Sequence, residues 1–225
     1  MRTSAWDGSH LRDGVRPFDA VALLPRSAPS MPEVECAMGG QGGAVVDGSM
    51  RTSTDGVFAA GDCAELRVGT GSVPFRLRSS ALVMGRTAGR NAVGGGLAEA
   101  GLAGSLALDV FGTELCTAGM GAAEGRALGL DLIEMEDDGA AGSDATPEGV
   151  FRASMVFERG SHRIYGVEVS GTGALSLSSY LSAVVSSRSR LEDVFYQESL
   201  YLPLLDEDAS PICLTAGKFL ARLRG

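Results

Sequence analysis

The stretch that decides the interpretation of this chain runs from Thr52 to Leu66 and reads TSTDGVFAAGDCAEL. A polar turn, TSTDG, leads into the short apolar segment VFAA, and Gly61-Asp62 follows directly. Glycine removes the side chain where another group must lie close to the backbone. An ionised carboxylate accepts strong hydrogen bonds. The pattern therefore predicts a buried strand that ends at a ligand-binding carboxylate, Asp62.

The overall composition indicates a soluble, acidic, globular protein. The chain has 225 residues, of which 44% are hydrophobic and 21% charged, enough for one large or two small domains. Its net charge of −9 at pH 7 argues against nucleic acid or an anionic membrane as partner, because both require a basic surface. No apolar run is long enough to span a bilayer, and the N-terminus lacks a signal-peptide stretch. We therefore expect a cytoplasmic protein with no nucleic-acid or membrane partner.

The cysteines and histidines form no metal-binding or disulfide pattern. The four cysteines include no CxxC pair, and the two histidines lack zinc-ligand spacing. We therefore expect no disulfide framework, no redox dithiol and no metal site, and we interpret the thiols as packed or idle. His162 falls in a predicted hairpin turn, where we expect it to be solvated. The cysteines are Cys36, Cys63, Cys116 and Cys213.

The first half of the chain alternates short apolar runs with turns rich in glycine and proline. The run FDAVALL, bounded by two prolines, predicts a buried strand at 18–24. Further on, AVVD and GVFAA predict a pair of strands between 44 and 60, followed by a loop at 65–75. RSSALVMGRTAGRNAVGG then has small and apolar residues at helical spacing, with Ser79 or Ser80 as the predicted N-cap.

The second half predicts an α+β unit, a small antiparallel sheet with helices on one side. VFRASMVFE and RIYGVEVSG, joined by RGSH, are typical of a β-hairpin. A polar loop rich in Gly, Asp and Ser is expected at 137–149. The other predicted elements are a strand at 108–119, a short helix at 122–129, a strand at 130–136, helices at 173–188 and 190–197, and a terminal helix at 212–224.

The opening motif resembles the second flavin-contacting motif of the pyridine nucleotide–disulfide oxidoreductases, flavoenzymes with two dinucleotide-binding folds. In that family a Thr opens the motif, a turn precedes an apolar strand, and Gly-Asp closes it. The resemblance implies that Thr52, Gly61 and Asp62 bind FAD, with Asp62 accepting a hydrogen bond from a ribityl hydroxyl.

The following segment, VPFRLRSSALVMGRTAGRNAVGG, resembles the loop and helix that come next in the family. There the N-terminus of the helix points at the flavin, where its dipole stabilises negative charge. The resemblance implies that Leu77, Arg78 and Ser79 face the flavin ring. Arg78 departs from the pattern, since a small residue is usual at that position.

Residues 108–225 resemble the C-terminal dimerisation domain of the same family. The sequence YLP near the end resembles the NADH oxidase, NADH peroxidase and coenzyme A-disulfide reductase branch. In that branch the tyrosine reaches the active site of the partner subunit. The resemblance therefore implies a homodimer and a catalytic role for Tyr201.

Two parts of a complete family member have no counterpart in the sequence. No GxGxxG turn with the required spacing is found, and no cysteine occupies the place of the family's reactive thiol. The expected fold is an α/β remnant of an FAD-binding domain followed by an α+β dimerisation domain. Residues 1–106 would hold the tail of the NAD(P)H domain, to about residue 28, and the C-terminal part of the FAD-binding domain. Residues 107–225 would form the dimerisation domain.

The resemblance implies the C-terminal half of a flavin-dependent NAD(P)H oxidoreductase, inactive alone. Its partial site would bind FAD, and the full-length parent would use NAD(P)H to reduce a small thiol or disulfide, a peroxide or O2. The alternative is a non-catalytic truncated paralogue that acts as a dimerisation module. The residues leave both alternatives open.

Overall fold

The computed structural model describes residues 5–6, 11–12, 28–94, 100–138, 152–198 and 210–224. The strand predicted at 18–24 and the greater part of the loop predicted at 137–149 lie outside these ranges. Strands β1, Ala5–Trp6, and β2, Leu11–Arg12, pair antiparallel. No helix among the described residues is both long enough and apolar enough to cross a membrane.

A three-stranded sheet surrounds the opening motif. Strand β3 pairs parallel with β4, and β4 pairs antiparallel with β5. The predicted pairing of AVVD with GVFAA is wrong, because β3 pairs with 64–66 instead. Residues 57–60 are not a regular strand; a single bridge joins Phe58 to Arg51. The strands are β3, Ala44–Val46, β4, Ala64–Val68, and β5, Gly71–Pro74.

The loop predicted at 65–75 is also wrong, since most of this segment forms the β4–β5 hairpin. The strand β4 was not predicted because it contains charged residues at positions 65 and 67, which are unusual in a buried strand. Gly69, with φ of +55°, makes the tight turn between the strands. At that turn Thr70 N donates to Leu128 O over 2.9 Å, which joins the hairpin to the second half of the chain.

Helix α1 spans Arg78–Ala92 and confirms the helix predicted there. Its N-cap is Leu77, in an extended conformation and with no side-chain cap hydrogen bond, so the predicted serine N-cap is wrong. Ser80, one of the two candidates, lies on the buried face of the helix instead. On the same face Asn91 Nδ2 donates to Ser49 O over 2.8 Å and fixes the end of the helix. The buried face consists of Ser80, Met84, Thr87 and Asn91.

The second half of the described chain is built on a five-stranded antiparallel sheet with the order β6-β7-β10-β9-β8. The predicted hairpin is confirmed as β9 and β10. The single strand predicted at 108–119 is two strands, because Phe111 and Gly112 turn the chain with φ of +52° and +81°. The strands are β6, Leu106–Val110, β7, Thr113–Gly119, β8, Leu132–Asp137, β9, Arg152–Glu158, and β10, Ile164–Ser170.

Helices cover both faces of this sheet. Helices α3, α4 and α5 share the main core with one face, and the buried residues of this core include Phe157, Leu181 and Phe219. Helix α2 packs on the opposite face, against Leu132 and Val156. The prediction that all helices lie on one side of the sheet is therefore correct for α3, α4 and α5 and wrong for α2. The helices are α2, Ala122–Ala127, α3, Ser178–Ser186, α4, Leu191–Phe195, and α5, Pro211–Arg224.

Candidate functional site

The carboxylate of Asp62 lies exposed two residues after the extended residue Ala60. Gly61 has a φ of +81°, a conformation that favours glycine, and it starts a short 3-10 helix that ends at Cys63. The Cys63 thiol donates to Ala60 O over 3.2 Å, which closes this turn. Within the described ranges, no hydrogen bond or ion pair engages the Asp62 carboxylate. This acceptor is therefore available to a ligand.

The N-terminus of α1 lies beside the Asp62 turn. A Cβ built on Gly61 would stand 3.7 Å from the Cβ of Ala81, in the first turn of the helix. No acidic residue lies in that first turn, and Leu77 provides no side-chain cap. The first N–H groups of a helix lack intrahelical partners, and the helix dipole is positive there. Arg78 and Ser79 are exposed at the same end. The structure thus places the Asp62 carboxylate, the first backbone N–H groups of α1 and Arg78 at the same end of the helix.

Thr52, the third motif residue, lies apart from this group. Its hydroxyl donates to Val57 O over 3.0 Å and accepts from Thr54 N over 3.2 Å, which closes the turn before the extended segment. Thr52 lines a cleft of about 430 Å³ together with Asn91 and Ala92, at the C-terminal end of α1. Because Asp62 adjoins the other end, about 16 Å of helix separates the two positions.

The predicted site residues therefore fall into three groups. The first group lies at the start of α1 and consists of Gly61, Asp62, the N-cap Leu77, Arg78 and Ser79. Thr52 stands at the far end of the helix. Tyr201 lies outside the described residues.

Glu65 is a buried residue of the motif whose structural role the sequence interpretation missed. The side chain is only 1% exposed, although it is a carboxylate. Its Oε1 accepts from Gln41 N over 2.9 Å and from Gly43 N over 2.8 Å, and its Oε2 accepts from Ser72 Oγ over 2.8 Å. Glu65 thus joins the turn at 39–43 to the β4–β5 hairpin, next to Asp62. The glycine-rich turn GGQGG at 39–43 could have indicated this role, because backbone N–H groups that become buried need an acceptor.

His162 is not simply solvated in its hairpin turn, as the sequence suggested. Its Nδ1 lies 2.6 Å from Glu192 Oε1 at the start of α4, and the side chain is 26% exposed. Burial opposes ionisation of Glu192, but the hydrogen bond from His162, a backbone hydrogen bond and the nearby charges of His162 and Arg190 hold its pKa below the ordinary value of 4.5. The pair ties the β9–β10 turn to α4.

We expect Glu192→Gln to destabilise the protein by about 0.5–1 kcal/mol near neutral pH, because it weakens the partly exposed hydrogen bond to His162 and removes the negative charge beside Arg190. A carboxyl group whose pKa is lowered by folding contributes stability above its unfolded pKa and loses the contribution as the pH falls through its folded pKa. The part of the wild-type stability that comes from the lowered pKa of Glu192 should therefore be lost as the pH falls below about 5, and the difference between wild type and variant should shrink there. Urea unfolding across this pH range measures it. Glu168→Gln, which alters an exposed carboxylate, is the control and should show no such trend.

Comparison with known proteins finds one matching family model and several relatives of low sequence identity. The model of the pyridine nucleotide-disulphide oxidoreductase family matches residues 19–85. An NADH oxidase of Streptococcus pyogenes serotype M6 is 24% identical over 180 residues, which is 78% of this chain and 40% of that protein. A NAD-dependent persulfide reductase from A. fulgidus superposes with a TM-score of 0.70 at 24% identity, over 84% of this chain and 36% of that one. An FAD-dependent pyridine nucleotide-disulphide oxidoreductase from Desulfovibrio vulgaris superposes with a TM-score of 0.60 at 23% identity, over 84% of this chain and 44% of that one.

The matched proteins are much longer than this chain, which spans 40% of the streptococcal relative. The structural matches, all at low identity, establish that the fold is shared.

Proposed function

We propose, taking the chain as a member of the pyridine nucleotide-disulphide oxidoreductase family matched over part of its length, that it forms the C-terminal half of a flavin-dependent NAD(P)H oxidoreductase. In this proposal the chain supplies one wall of the FAD site and is inactive alone. The observation that carries it is the free, exposed Asp62 carboxylate beside the uncapped N-terminus of α1.

The residues at this position suit a flavin nucleotide. Asp62 would accept a hydrogen bond from a ribityl hydroxyl, and Gly61 would let the cofactor approach the backbone. The N-terminal N–H groups of α1, with Arg78, would stabilise negative charge on the ring. FAD, when bound, supplies the capacity to pass a hydride from a nicotinamide to an acceptor. The chain's own residues hold and orient it.

The remaining expectations follow from the family and stay part of the proposal. The parent would use NAD(P)H and reduce a small thiol or disulfide, a peroxide or O2, in a cytoplasmic homodimer. Residues 1–106 would belong to the nucleotide-binding part and 107–225 to the dimerisation domain. Tyr201 would reach the active site of the partner subunit, and Thr52 would support the motif through its turn.

A second candidate function is a dimerisation module without catalysis. The main apolar core lies within residues 103–220 and takes no residue from the Asp62 region. The antiparallel sheet with its helices therefore does not depend on a flavin for its packing. In this alternative the chain would associate but would not bind FAD.

We expect the purified chain to bind FAD and Asp62→Ala to weaken this binding about ten- to a hundredfold, the loss of one charge-assisted hydrogen bond. Titration followed by quenching of flavin fluorescence measures the affinity. Asp55→Ala is the matched control, because Asp55 is an exposed aspartate in the same motif but in the turn before the extended segment. Failure of the wild-type chain to bind FAD, or equal weakening by both substitutions, would overturn the proposal.

A further inference from the structure

We draw no further inference here: the strongest candidate, the cleft of about 430 Å³ at the C-terminal end of α1, carries nothing, because its buried polar side chain, Asn91, already donates to Ser49 O and nothing among the described residues shows what would occupy it.

Discussion

Gly119→Ala should destabilise the five-stranded sheet by about 3 kcal/mol or more, through backbone strain and a steric clash together. Gly119 ends β7 with a φ of +86°, a conformation that L-residues rarely adopt. A Cβ at this position would overlap the backbone oxygen of Tyr165 in β10. That oxygen cannot move away freely, because it accepts a hydrogen bond from Met120 N over 3.0 Å.

Gly112→Ala separates the two causes. Gly112 has a similar φ of +81°, but a Cβ there would have no neighbour within 4 Å. It should therefore cost only the backbone strain, about 1 kcal/mol. Urea unfolding followed by far-UV circular dichroism measures both variants. Equal losses would mean that the clash with Tyr165 contributes nothing.

Glu65→Ala should cost about 2–4 kcal/mol of unfolding free energy, because it leaves the buried N–H of Gly43 and the partly buried N–H of Gln41 without an acceptor. The N–H groups of Gln41 and Gly43 both depend on Glu65 Oε1. The turn at 39–43 should loosen, and FAD affinity should fall with it, because Glu65 lies on β4, which begins directly after the 3-10 turn that holds Asp62.

Glu65→Gln is the informative control for this site. Its amide oxygen can accept from both N–H groups, and the Ser72 hydroxyl can accept from the amide nitrogen instead of donating. We therefore expect this variant to retain most of the stability that Glu65→Ala loses. Glu33→Ala, at an exposed glutamate, should be neutral. If Glu65→Gln lowers the free energy of unfolding as much as Glu65→Ala does, the negative charge of Glu65 stabilises the fold and its hydrogen-bond pattern alone does not.

Local periodicity predicted the elements in which side-chain pattern and structure agree. The β9–β10 hairpin alternates apolar and polar residues around a short turn, and α1 and α5 repeat apolar residues at helical spacing. Such patterns depend on neighbours within a few residues, so a single sequence contains them.

Elements whose residues contradict the local pattern could not be predicted in this way. Strand β4 contains a buried glutamate, which is satisfied by the distant backbone N–H groups of Gln41 and Gly43 and by the Ser72 hydroxyl. The β6–β7 turn has Phe111 in a left-handed conformation that phenylalanine rarely adopts. The N-cap of α1, Leu77, provides no side-chain cap hydrogen bond. Strand β3 pairs with residues 64–66 and not with the apolar segment 57–60, which is closer in the sequence.

The sequence by itself determined that a carboxylate follows Gly61 after an extended apolar segment and that a helix of small residues comes next. These are properties of adjacent residues. Only the tertiary structure decided that Asp62 stands beside the N-terminus of that helix, that Thr52 lies near its other end, and that Glu65 is buried beneath the turn at 39–43. The physical reason is that these arrangements depend on contacts between segments far apart in the chain, whose energies no local pattern records.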